Sequence, residues 1–194
     1  MTGCTAIPGF WRYSCNMIRL FAGLALPEPH RLRLMGLCAG VPGARWVRPE
    51  SFHLSLHFIG DIEEGVADDV DAALAMVAAP SFSLALQGAG VFGKTDKARV
   101  LWAGVMPNPA LIQLQARVES ALARAGLAAE PRRFSPHVTL ARLRRAPAAR
   151  VEQFIVDHAQ FRAEPFPVEQ FILYSSFLSS SGAIYTREAA YALD

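Results

Sequence analysis

Two short stretches carry the residues best suited to chemistry: His53-Leu54-Ser55-Leu56 and His137-Val138-Thr139-Leu140. Each offers an imidazole and, two residues on, a hydroxyl. Alternate side chains of an extended strand share a face. Each histidine therefore stands beside its hydroxyl, while Phe52, Leu54, Leu56 and Phe58 turn the other way and can enter a core. By the same alternation His57 joins His53 and Ser55, and Pro136, Val138 and Leu140 face the core. Opening a cyclic phosphodiester needs a base to activate water and an acid to protonate the departing sugar oxygen. Two histidines of near-neutral pKa can hold one proton between them and divide these roles. The hydroxyls of Ser55 and Thr139 can donate to the non-bridging phosphate oxygens as charge develops there. Neither motif contains a carboxylate, so no metal cage is apparent. A lone histidine on a strand is more often structural, but two copies at matched places reverse that reading. His57 has no counterpart, since Ala141 holds its place, and is read as at most a support for the others. His30 and His158 fall on predicted helices and are read as surface residues.

The surrounding sequence repeats itself. Arg19-Leu20-Phe21-Ala22-Gly23-Leu24 resembles Val100-Leu101-Trp102-Ala103-Gly104-Val105, and each reads as a short buried strand. Prolines follow both copies, then helical patterns over about 30–39 and 110–125, the second stopping at Gly126. Next come the two histidine strands, then amphipathic helices over about 66–79 and 148–159. Further strands begin near Phe82 and Phe166, which stand equally far past their histidines. The chain is read as two copies of strand–helix–strand–helix–strand, with a closing strand segment over about 183–193. The expected fold is α+β, with two pseudo-symmetric lobes, each a mainly antiparallel sheet with helices outside, and the cleft between them.

The chain has 194 residues, of which 52% are apolar and 19% charged, enough for one compact domain and unlike a disordered chain. Residues 17–194 are read as a single bilobal domain. Residues 1–16 are read as a disordered extension, with Met17 an alternative start. The net charge of +2 does not announce a nucleic-acid binder, but its distribution suits a phosphate-bearing partner. Arg132, Arg133, Arg142, Arg144, Arg145 and Arg150 gather around the second motif, while Asp61, Glu63, Glu64, Asp68, Asp69 and Asp71 lie apart. Cys4, Cys15 and Cys38 are odd in number and irregular in spacing, which predicts no disulfide framework and a reducing, cytoplasmic setting. No apolar run is long enough to cross a membrane, and the first residues lack the pattern of a signal peptide.

The paired motifs resemble those of the 2H phosphoesterase superfamily, and more narrowly the RNA 2′,3′-cyclic phosphodiesterases, also called 2′-5′ RNA ligases. The resemblance runs from about Met17 to the C-terminus. It is carried by Arg19-Leu20-Phe21-Ala22, Arg45-Trp46-Val47, His53 to Gly60, Val100 to Val105, Phe134 to Arg142 and Tyr174-Ser175-Ser176. It implies the 2H phosphoesterase fold and hydrolysis of a terminal 2′,3′-cyclic phosphate to a 2′-phosphate. It also implies a reverse 2′-5′ ligation and no metal or nucleotide cofactor. The implied partner is RNA with a cyclic phosphate end, with tRNA fragments as candidates; the chain itself is read as a monomer with no membrane partner. The family's catalytic histidines match His53 and His137, its hydroxyls match Ser55 and Thr139, and its phosphate-contacting arginine matches Arg142. Simple alternation puts Arg142 on the core face, so the strand must end or bulge before it. Two features depart from the family. Ser55 stands where threonine is usual. Phe21 is followed by Ala22 where two aromatics are common, which predicts the loss of a base-stacking platform.

Gly88 to Thr95 satisfies the phosphate-binding pattern G-x-x-x-x-G-K-[ST] and contains G-x-G-x-x-G. Both patterns require a helix directly afterwards, yet the repeat places a strand at Val100. A glycine-rich hairpin or loop is therefore expected, with Lys94 and Lys97 still available to RNA phosphates. The competing functions are a phosphodiesterase acting on a small cyclic nucleotide or ADP-ribose cyclic phosphate, a non-catalytic RNA-binding module, and a nucleotide-binding enzyme using Lys94.

Overall fold

A computed structural model describes residues 17–128, 130, 132–179 and 182–194. The N-terminal extension expected over 1–16, with Cys4 and Cys15, lies outside the described residues; Cys38 is a free thiol. In chain order the elements are β1 (Met17–Ala25), α1 (Glu28–Met35), β2 (Ala44–Trp46), β3 (His53–Glu63), α2 (Glu64–Ala75), β4 (Phe82–Leu84) and β5 (Leu86–Val91). Then follow β6 (Val100–Val105), α3 (Pro109–Arg124), β7 (His137–Leu143), α4 (Ala148–Asp157), β8 (Phe166–Val168), β9 (Gln170–Ser179) and β10 (Gly182–Ala192).

Local sequence accounts for the helices. Asn108 caps α3, its side-chain oxygen accepting from the Leu111 amide at 3.1 Å, and Pro109 takes the first turn, where an amide hydrogen has no helical partner. Leu111, Leu114, Val118 and Leu122 then form the buried stripe, and Gly126 leaves the helix with positive φ. Val70 and Leu74 bury α2, and Val151 and Phe154 bury α4. The first helix starts earlier than expected, because Pro29 is tolerated in an opening turn, and it ends at Gly36 rather than Ala39.

The strands form one sheet in the order β10-β9-β1-β3-β7-β6-β5, with β2 also paired to β7, while β4 and β8 pair separately. Apart from β10 and β2, which have no counterparts, the order is palindromic about the β3–β7 contact. Exchanging β3 with β7, β1 with β6 and β9 with β5 maps one half onto the other, and the strands starting at Phe82 and Phe166 pair with each other across the same axis. The halves join where Leu54 pairs with Val138. Apolar side chains from one face of this sheet and from all four helices make a continuous core. The opposite face carries the two histidine motifs.

Matched bulges correct the simple alternation. Between β1 and β3 the register steps from Ala22–His57 to Gly23–Ser55, passing over Leu56. Between β6 and β7 it steps from Leu101–Ala141 to Trp102–Thr139, passing over Leu140. An extra residue reverses the parity of the strand beyond it. Leu56 and His57 consequently both turn inward, leaving His57 3% exposed, and Phe58, expected in the core, is 46% exposed. The same step buries Leu140 and Ala141 and swings Arg142 outward. The repeat is also offset in register, since Gly23 lies across from Ser55 whereas Gly104 lies across from His137.

The glycine-rich segment is the β5–β6 hairpin. It runs through a single 3-10 turn, Thr95–Lys97, directly into β6, so no α-helix follows it before that strand.

Candidate active site

The site is built on the seam between the halves. Antiparallel pairing at Leu54–Val138 sets His53 beside Thr139 and Ser55 beside His137 on the open face. The two imidazoles are anchored alike. Nδ1 of His53 donates to the Ser51 carbonyl at 2.8 Å, and Nδ1 of His137 donates to the Ser135 carbonyl at 2.7 Å. With Nδ1 carrying the proton, the neutral ring keeps Nε2 as a free acceptor. In each half the tether is the carbonyl two residues before the histidine.

Both rings titrate below an ordinary histidine. Burial lowers the pKa of His53, against the opposing bond to Ser51, and the charges of His137 and Arg142 lower it further. Burial also lowers His137, opposed by its bond to Ser135. The charges of His137 and Arg142 thus both reach His53 across the seam. Arg142 also acts on Tyr185, so it reaches from the second half to the wall around the first histidine.

Aromatic rings pack around both histidines. The His53 ring centroid lies 4.7 Å from Phe21 and 4.8 Å from Tyr185, with Tyr174 stacked behind Phe21 at 5.0 Å. His137 meets the edge of Phe92 at 4.8 Å, and Phe92 packs on Trp102 at 5.7 Å. Phe21 thus faces the site while Ala22 lies in the core. Phe21 is itself 3% exposed, buried among His53, Tyr174 and Tyr185, and the position that follows it lies on the core side.

The five residues singled out in sequence share this region: His53, Ser55, His137 and Thr139 by pairing, and Arg142 by its field on His53. His57 does not join them. It points into the core, where its Nδ1 has no partner and the charges of Glu119 and Glu130 act on it. His30 and His158, expected at the surface, are half-buried, and each is tied to a backbone carbonyl, of Glu164 at 2.7 Å and of Phe154 at 2.8 Å. Of the arginine cluster, Arg132 pairs with Glu130 at 2.8 Å and Arg150 bonds the Gly40 carbonyl at 2.9 Å, while the charge of Arg142 acts on His53. Among the described residues, no group of three or more histidine, cysteine, aspartate or glutamate side chains is placed to hold a metal ion.

The model of the 2′-5′ RNA ligase superfamily matches residues 29–176, well over half of the chain. The chain belongs to this superfamily. A relative from Aeropyrum pernix named RNA 2′,3′-cyclic phosphodiesterase is 34% identical over 159 residues, covering 80% of this chain and 89% of that protein. Another of that name, from Geobacillus stearothermophilus, is 40% identical over 106 residues; the match covers 54% of this chain and only 34% of that longer protein. The crystal structure of Escherichia coli LigT complexed with 3′-AMP shares the fold at a TM-score of 0.74 and 29% identity, covering 92% of this chain and 99% of that one.

In this member of the 2′-5′ RNA ligase superfamily, reading by residue type missed the aromatic surround. Tyr185 could have been found from the alternation of the last strand. Phe92 gave no such signal, because it lies in the segment that mimics a phosphate-binding loop.

Proposed function

We propose that this chain hydrolyses RNA 2′,3′-cyclic phosphate ends to 2′-phosphates, with His53 and His137 sharing the acid and base work. The observation that carries the reading is the matched pair of Nδ1–carbonyl tethers, which leaves two Nε2 atoms for one phosphate. The names of the relatives and the superfamily membership support it.

In the reaction, one neutral Nε2 takes a proton from water as the water oxygen bonds to phosphorus. The P–O3′ bond breaks, and O3′ takes a proton from Nε2–H of the other, protonated histidine. One water is consumed, and the products are a 2′-phosphate and a 3′-hydroxyl. Ser55 and Thr139 donate to the non-bridging oxygens, and Arg142 balances the charge that builds on them. A 5′-hydroxyl in place of the water yields a 2′-5′ linkage by the same steps, which is the ligation reaction.

The test is an assay, with EDTA present, on a short RNA ending in a 2′,3′-cyclic phosphate. The expected product is the 2′-phosphate isomer, and His53→Ala and His137→Ala each lower kcat by about 10²–10⁴-fold. A 3′-phosphate product, or full activity in either variant, overturns the mechanism. Turnover restricted to a mononucleotide cyclic phosphate moves the substrate from RNA to small molecules.

A further inference from the structure

Beside His53, on the side belonging to the first half, the open face hollows into a cavity. Its wall includes Arg31 from α1, Tyr174 from β9, Tyr185 and Arg187 from β10, and His53 itself, with Glu50 also on the lining. The lining takes in neither His137 nor Arg142, so this space extends away from the histidine pair. Strand register explains the convergence. Tyr174 lies across from Phe21 on one side and from Arg187 on the other, and Tyr185 shares the face of Arg187. Arg31 and Arg187 both act on the Tyr174 hydroxyl, favouring its ionised form against the stronger opposing effect of burial. Neither arginine is in an ion pair among the described residues. Two guanidinium groups against one carboxylate leave this wall net positive, and a planar guanidinium fork matches phosphate oxygens.

We propose that Arg31 and Arg187 bind a second phosphate, the one on O5′ of the nucleotide whose cyclic phosphate lies between the histidines. The inference rests on the proposed function for the identity of the first phosphate. In an RNA strand the second is the link to the preceding nucleotide, and it is the phosphate nearest the cyclic end. On this assignment the protein favours a strand end over a bare nucleoside cyclic phosphate. It assigns Arg31 and Arg187 to binding and leaves bond breaking to the histidine pair.

The test compares binding of adenosine 2′-monophosphate and adenosine 2′,5′-bisphosphate by calorimetry, since the two differ only in the 5′-phosphate. The full chain should bind the bisphosphate about tenfold more tightly, which is about 1.4 kcal/mol. Arg31→Ala and Arg187→Ala should each shrink that gap, lowering the bisphosphate affinity more than the monophosphate affinity. Arg187→Glu should reverse the preference, and Glu50→Gln should widen it. Thermal unfolding of each variant checks that the fold persists. Equal affinity for the two ligands in the full chain, or a gap that survives both alanine substitutions, overturns the proposal. Turnover of cyclic-phosphate RNA separates the two readings. Turnover with no bisphosphate gap removes the second phosphate site alone, whereas a gap without turnover removes the proposed function and keeps the site.

Discussion

Each histidine is held by one backbone carbonyl, and the bond fixes which nitrogen is free. The environment then sets the charge. Burial outweighs the tethers and lowers both pKa values, and Arg142 adds to the lowering at His53. A mechanism that needs one neutral and one protonated ring works best between the two coupled titrations. The maximum of kcat/KM is therefore expected on the acid side of about 6.5, the ordinary histidine value. Arg142→Gln tests the electrostatics directly. Removing the cation relieves His53 of one lowering influence, so the profile should move toward neutral pH. Loss of the phosphate contact proposed for Arg142 should lower kcat/KM by about 10²–10³-fold. A pH profile measured on the parent and on this variant separates the two effects. An unmoved profile with lowered activity would limit Arg142 to contact with the phosphate.

At the scale of the element, the bulges at Leu56 and Leu140 decide which residues reach the site. Period-two alternation placed His53, Ser55, His137 and Thr139 on the open face because all four precede a bulge. Past it the same rule fails, sending Phe58 to the core and His57 to the face, opposite to where they lie. Nothing in residue type announces an inserted residue in a strand. Arg142 was accessible only through the family resemblance, which demanded a bulge that alternation alone does not supply. Helix stripes and caps were more legible, because Asn108, Pro109 and Gly126 state the limits of α3 in their own chemistry. Close strand approach gives a sharper test. A Cβ at Gly104, across from His137, would lie 2.5 Å from the Gln87 carbonyl oxygen. Gly104→Ala should cost about 1–3 kcal/mol in urea unfolding as the strands part, and it should lower kcat by displacing His137. Gly65, in the first turn of α2, has nothing within 4 Å of an added Cβ. Gly65→Ala should stabilise by about 0.5–1 kcal/mol with activity unchanged.

At the scale of the whole molecule, one sheet face serves the core and the other the candidate site, and histidines lie on both. His53 and His137 line the open face, while His57 lies in the core with an unpartnered Nδ1. Burial lowers the folded-state pKa of all three. The unfolded chain therefore binds protons first, at about 6.5, before the folded chain can accept them. Stability is full above that value, falls as pH drops through it, and stops falling from this cause once pH passes below the depressed folded values. The carboxyls of Asp61 and Glu130, held low by Arg19 and Arg132, lose their stabilising contribution in a lower window, as pH falls below their unfolded values near 4. Unfolding midpoints measured between pH 7.5 and 5 should decline for the parent chain. His57→Gln should flatten part of that decline and retain hydrolysis, because His57 is buried in the core, away from the face that carries His53 and His137. His53→Ala should flatten part of it and lower kcat by about 10²–10⁴-fold. A parent midpoint that stays constant over this range would mean that the three rings exchange protons equally well in both states, against the burial that the fold imposes on them.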